Sequence, residues 1–485
     1  MGKDFKDHDQ QEINISNSLR DLVNQPDNST QKELLNAILQ DAEIEFALSQ
    51  GDYETVIEKC SAILEIDDLA NELKAWALYH RGIAKGETDD LQGAIDDYTE
   101  MLDLDDLSTE HKVWALNNRG ADRGAIGDAE GAIADYSAII AMEGVDANDR
   151  ASALYNRAID KGNIDDNEGA IADYTAIVEM EGVSPDQLAW ALFNRGNIWG
   201  RLEDPKAEVA DYNAVIEMDD APIEQRAKAF INRSVVWAAL GDFESAIADS
   251  TAAIVMDDVP LDLQAEAIYN RGADRQAIDD LQGAIADYSV VIEMDDIEID
   301  LQAKALIYRG VVRALLEEMD LAIADSTAVL EMDGIPPELK GEALINRATD
   351  KECAGYIEEA KADYKAVIEF ESAEDEYKAR ACGNYGWLLY EAGNYEQSLE
   401  ISRVGLQLDP TQTYIRANIG LLLLHLGQTE EATKEYDLAI MEIEDSEDMD
   451  QMILEDLNAA IKANANIPGA LEIIEKAILR KQDLR

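Results

Sequence analysis

The chain has 485 residues, 47% of them hydrophobic, with 103 acidic side chains against 40 basic ones and a formal net charge of -63. A field of that sign repels nucleic acid and anionic membrane surfaces and attracts basic proteins, which argues against direct DNA, RNA or membrane binding. The same acidity also suits a saline cytoplasm, so two readings of the charge stand side by side.

Residues 1–28 are polar and read as a loose N-terminal tail. Met1 to Asp7 has no apolar stretch of the kind a signal peptide needs, and Lys6 stands where a myristoylation pattern wants Ser or Thr. No apolar run approaches the ~20 residues that span a bilayer. Cys60, Cys353 and Cys382 are too widely separated for a metal-ligand spacing. A reducing, cytoplasmic location is expected.

Residues 29–74 read as an N-terminal capping repeat, degenerate in sequence, with Gly51-Asp52-Tyr53 at its turn. A period of 38 residues then sets in. Arg81, Arg119, Arg157, Arg195, Arg233, Arg271, Arg309 and Arg347 recur at that step. Asp97, Asp135, Asp173, Asp211, Asp249, Asp287, Asp325 and Asp363 each follow their arginine by 16 residues. Eight repeats in register, residues 75–378, are therefore expected. Each reads as two helices. Ser184-Pro185-Asp186-Gln187 supplies an N-cap, a proline at the first helical position and a glutamine three residues on. Ala189, Leu192, Gly196 and Trp199 recur at helical spacing, a polar turn follows at Glu203-Asp204-Pro205, and Val209, Tyr212, Val215 and Ile216 mark the second helix. Residues 379–446 hold two repeats of a 34-residue type, in which Tyr385-Gly386 recurs as Ile419-Gly420. Residues 447–485 read as C-terminal capping helices, the last opened by Ile467-Pro468-Gly469.

Leu154-Tyr155-Asn156-Arg157 and Ala284-Ile285-Ala286-Asp287-Tyr288, with small residues at Gly82, Gly120, Gly196, Ala94, Ala132 and Ala170, resemble the tetratricopeptide repeat family in a bacterial-type variant. Family repeats have 34 residues. Four more are close to one 3.6-residue turn, and the cap at Ser184 places that turn at the beginning of the first helix. The resemblance implies an all-α fold, an α-solenoid of about eleven helix-turn-helix repeats forming a right-handed superhelix.

Comparison of the repeats with one another isolates one pair. The first repeat has Glu43 and Lys59 where the others have arginine and aspartate, so both signs reverse. The tenth has Tyr385 and Ile401 and loses both charges, and the last has Ile419 with Glu435, a mismatch. Joint change implies contact, an ion pair between the two helices of one repeat and a scaffold feature rather than a catalytic one.

The resemblance also implies an inner wall lined by three positions of each first helix. Trp76, Tyr79, Trp114, Tyr155, Trp190 and Phe193 fall there in the first half, while Lys228, Glu266, Lys304 and Glu342 make the second half charged. An open strip would be a partner-binding groove; tight stacking would bury the same rings. Asn118, Asn156, Asn194 and Asn232 recur beside them and would hold either a partner's backbone or a neighbouring repeat. The family's carboxylate clamp for chaperone tails matches at Asn197 and Asn232 but fails at Phe193, Glu266 and Asn270.

The histidines His8, His80, His111 and His425 have no partner spacing for catalysis, and no Gly-rich phosphate loop or EF-hand loop occurs. No catalytic residue, metal or cofactor is expected. The function expected is a non-catalytic scaffold or adaptor that binds a protein or peptide in a concave groove, the partner being basic or offering an apolar helical segment. The alternative is an acidic nucleic-acid mimic that occupies a basic DNA- or RNA-binding protein.

At -63, self-repulsion weakens the compact state and added salt screens it. The melting temperature should rise from low salt to ~1 M sodium chloride; a flat or falling curve would show that the acidity has no bearing on stability.

Overall fold

The computed structural model of the chain describes residues 43–66, 69–443, 449–463 and 467–484. The expected tail at 1–28 and the opening of the capping repeat lie outside the described residues. Among those residues the secondary structure is helical, with no strand.

Two compact blocks divide the chain, residues 1–229 and 230–485. In the first block, antiparallel helix pairs follow one another: Asn71–Glu87 with Leu91–Leu102, Thr109–Ala125 with Ala129–Ala141, Ala147–Asn163 with Asn167–Val178, and Pro185–Arg201 with Pro205–Glu217. The second block continues the plan with Leu261–Ala277 and Leu281–Glu293, Ile299–Leu315 and Met319–Glu331, and Pro337–Cys353 and Ile357–Glu369. It ends with Asp375–Glu391 and Tyr395–Leu408, Thr413–His425 and Thr429–Glu442, then Glu455–Ala463 and Ala470–Asp483.

Helix ends are set by local chemistry. In the turn within a repeat, one residue adopts a left-handed conformation, as at Asp89, Gly127, Asp165 and Glu203. The aspartate after it caps the second helix: Asp90, Asp128, Asp166 and Asp204 each accept a hydrogen bond from the backbone N–H three residues on. Ser184 caps the helix it precedes in the same way, with Pro185 in its first turn. The first helices of the 38-residue repeats are 17 residues long, as is Asp375–Glu391, which opens the first of the two repeats expected to be of the 34-residue type, while Thr413–His425, in the second, has 13. The extra turn therefore sits in the first helix.

Several pairs close on a glycine–tyrosine contact. A Cβ added at Gly82, Gly120 or Gly196 would come within 2.7 to 2.8 Å of the ring of Tyr98, Tyr136 or Tyr212 on the second helix. The missing side chain lets the tyrosine lie flat on the first helix, and these three rings are fully buried. Leu154, Ala158, Tyr174 and Ile177, with Ala191 and Ile198 of the following repeat, show how the core runs from one pair into the next.

The first helices also bury carboxyls: Asp122, Asp160, Asp274 and Asp350 are each less than 9% exposed. Burial pushes Asp274 and Asp350 up from the usual carboxylate range to about 6. A raised folded value means that the protonated form is favoured in the fold. The associated stability is complete below the unfolded value and is lost as pH rises through about 6. The urea midpoint should therefore increase from pH 7.5 to pH 5 (about those values). Asp274→Asn/Asp350→Asn should raise the midpoint at the higher pH and remove part of the increase. An unchanged pH dependence in the double variant would rule the two carboxyls out as its source.

Candidate functional site

The Arg–Asp pairs join the two helices of each repeat through two hydrogen bonds. Arg195 donates from Nε to Asp211 Oδ2 at 2.8 Å and from Nη2 to Oδ1 at 2.6 Å. The same two-pronged contact holds Arg81 to Asp97, Arg119 to Asp135, Arg157 to Asp173, Arg233 to Asp249, Arg271 to Asp287, Arg309 to Asp325 and Arg347 to Asp363. In six repeats a second cation, four residues after the arginine, reaches the same carboxylate: Lys85, Arg123, Lys161, Arg275, Arg313 and Lys351 lie 2.6 to 2.9 Å from it. Trp199 and Trp237 stand at that position in the other two. In the first repeat Lys59 Nζ meets Glu43 Oε2 at 2.6 Å with the signs exchanged. In the last, Glu435 is paired after all, 3.2 Å from Arg416, which lies one turn before Ile419 on the same helix.

A third partner escaped the sequence reading. The remaining arginine nitrogen, Nη1, donates to a hydroxyl on the second helix of the preceding repeat. Ser61, Thr99, Ser137, Thr175, Thr251, Ser289 and Thr327 accept at 2.9 to 3.4 Å. The signal was present as a Ser or Thr two residues after most of the periodic aspartates. Where the arginine is lost, at Tyr385, the hydroxyl is lost too, and Lys365 in its place sits 5.2 Å from the tyrosine ring centroid. One guanidinium thus ties two helices of its own repeat to the repeat before it. Within each block the described residues form a stack of two-helix repeats, the arrangement that the resemblance to tetratricopeptide repeats implies.

No family model and no curated protein matches the sequence. Solved structures similar to it include a tetratricopeptide repeat protein from Parabacteroides merdae, 16% identical with a TM-score of 0.38, covering 56% of this chain and 98% of that one. They also include the APC/C hetero-tetramer Cut9–Hcn1, 12% identical with a TM-score of 0.36 over 90% and 95%, and yeast Tom70, 14% identical with a TM-score of 0.38 over 88% and 96%.

The aromatic candidates on these repeats divide into two groups. Trp76, 7% exposed, is packed with Ile44, Val56, Cys60 and Ile63 in the core of the first repeats, and Phe193 is 8% exposed. Tyr79, Trp114, Tyr155 and Trp190 are half-buried. The Tyr79 and Trp114 rings, from adjacent repeats, lie 5.6 Å apart, and His111 meets Trp114 edge-on at 5.1 Å. Lys228 Nζ lies 5.4 Å from the centroid of Trp190.

The asparagines link repeats. Asn156 donates to Asn117 Oδ1 at 3.1 Å and Asn194 to the Tyr155 hydroxyl at 3.0 Å, each reaching back to the preceding repeat. Two amides proposed for a partner's backbone are thus engaged within the stack. Asn232 belongs to the second block.

Arg195 and Arg157 differ in what remains when they are removed. Arg195→Leu strands Asp211, whereas Arg157→Leu leaves Asp173 with Lys161 at 2.8 Å. The first should cost ~3–5 kcal/mol of stability in urea melts, the second distinctly less, and Arg195→Leu/Asp211→Leu should recover much of the loss. Coupling below about 0.5 kcal/mol in that cycle would show that the pair contributes little.

Proposed function

We infer that the chain is a non-catalytic scaffold that holds a segment of another protein against the first helices of residues 75–200. The observation that carries this reading is the contact between half-buried Tyr79 and Trp114 across two repeats. Core rings such as Trp76 are covered by the stack, whereas Trp114, with Trp190 and Tyr155 further along, keeps part of its surface in solvent. Tryptophan and tyrosine are the side chains most often found at binding hot spots, and monomeric proteins rarely leave large apolar patches bare. An apolar helical segment with basic flanks suits the rings and the surrounding charge of -63.

No helix among the described residues is long and apolar enough to cross a membrane. The three cysteines are free. We place the scaffold in the cytoplasm, where thiols stay reduced.

A second reading, the acidic mimic of nucleic acid, is favoured by the charge alone. Salt separates the two, since binding through the acidic field falls steeply with ionic strength and binding through the rings does not.

A photo-crosslinking amino acid at position 114 should capture a partner segment that one at the exposed Glu130 does not. With that segment synthesised, Trp114→Ala should weaken binding by ~2 kcal/mol at unchanged helix content. If the variant unfolds while its folded fraction binds normally, Trp114 is core and the docking face lies elsewhere.

A further inference from the structure

In the second block, three departures from the repeat converge at one place. Glu352 stands where the earlier repeats carry mostly glycine or alanine, as at Gly200, Ala238 and Ala314. Gly383 replaces the large side chains found at Phe193, Tyr269 and Ile345, each a multiple of 38 residues before it. Trp387 replaces small or branched ones, as at Ala273, Val311 and Thr349. The result is a cleft of ≈ 230 Å³ between the first helices of the last repeats and the closing helices.

Its walls include Trp387, Tyr414 and Met452, its amides are Asn384, Asn418 and Gln451, and its ionisable groups are Glu352 and Asp456. Gly383 is required by this shape, because a Cβ there would come within 2.7 Å of the Tyr414 hydroxyl and 2.9 Å of Ile415. Glu352 is fixed from behind: Tyr364, fully buried, donates its hydroxyl to Oε2 at 2.6 Å, and Asn384 donates to that hydroxyl at 3.3 Å. Two half-buried carboxyls therefore line a cleft whose walls, among the described residues, include no lysine, arginine or histidine. The second-helix aspartates of the repeats, by contrast, are faced by one or two cations from the chain itself, as at Asp325 and Asp363. Burial raises the pKa of both Glu352 and Asp456, and the nearby Glu391 and Glu455 add to it respectively. A cation entering the cleft would relieve that cost, and the aromatic walls would cover its apolar stem.

We propose that this cleft is a binding site for a cationic side chain, arginine or lysine, carried by a protein partner. The site shares with the proposed function only the idea of a protein partner. Its residues, 352–456, are separate from the strip at 75–200, so either can fail alone.

The probes are blocked five-residue peptides of glycine and serine with one central arginine, lysine or norleucine. Binding to the full chain is read from the fluorine signal of 5-fluorotryptophan at position 387, assigned with Trp387→Phe. The arginine and lysine peptides should shift that signal saturably and the norleucine peptide should not. Glu352→Gln/Asp456→Asn keeps the shape and removes two charges; it should weaken binding by about tenfold or more. Glu396→Gln/Glu430→Gln removes two exposed charges and should leave binding unchanged. Equal weakening by both pairs would reduce the effect to the general acidic field. Equal binding of norleucine would make the cleft merely apolar. Either result overturns the proposal.

Discussion

A carboxylate buried between two helices is costly unless cations and hydrogen bonds replace the water it loses. In this chain the aspartate of each 38-residue repeat is that carboxylate, and the stack is arranged around satisfying it. Arginine is suited to the task because its planar fork meets both carboxylate oxygens and still has a nitrogen to spare. That third nitrogen, on the hydroxyl of the preceding repeat, converts an internal ion pair into a coupling between repeats. Coupling of neighbours is what makes an array of individually weak helix pairs fold as a whole.

The same clamps sharpen the electrostatic character of the molecule. Eight arginines and six further cations are gathered on eight aspartates. Fourteen of the 40 basic side chains are thus drawn into the interior. The remaining surface is more acidic than the net charge of -63 alone conveys. The acidity is therefore largely a property of the outside, available to a basic partner or to the solvent, while the second-helix aspartates inside are locally balanced.

Much of the architecture was legible because the repeats act as controls for one another. The exchange to Glu43 and Lys59 identified a contact that composition could not, and the cap at Ser184 located the extra turn. The hydroxyls were missed because a single Ser or Thr on a helix is unremarkable until the arginine one repeat later is brought beside it. The fate of the aromatic rings was illegible for another reason. Trp76 and Trp114 occupy the same position in successive repeats, yet Trp76 is pressed by Ile44 and Ile63 of the degenerate first repeat, whereas Trp114 rests on Tyr79. Burial there depends on the neighbour's side chains, and the first repeat's sequence had drifted too far for that neighbour to be read.

A periodic scaffold also makes its exceptions informative. When every repeat solves the same packing problem in the same way, a residue that departs from the pattern without disturbing the helix pair has been freed from that problem. Tyr385 and Lys365 depart together and restore a contact of another kind, which is compensation. Glu352, Gly383 and Trp387 also depart together, but they open a cleft whose lining carries no cation among the described residues. Compensated departures maintain the stack. An uncompensated set of this kind costs stability locally, and that cost is offset only when something outside the chain supplies the missing charge.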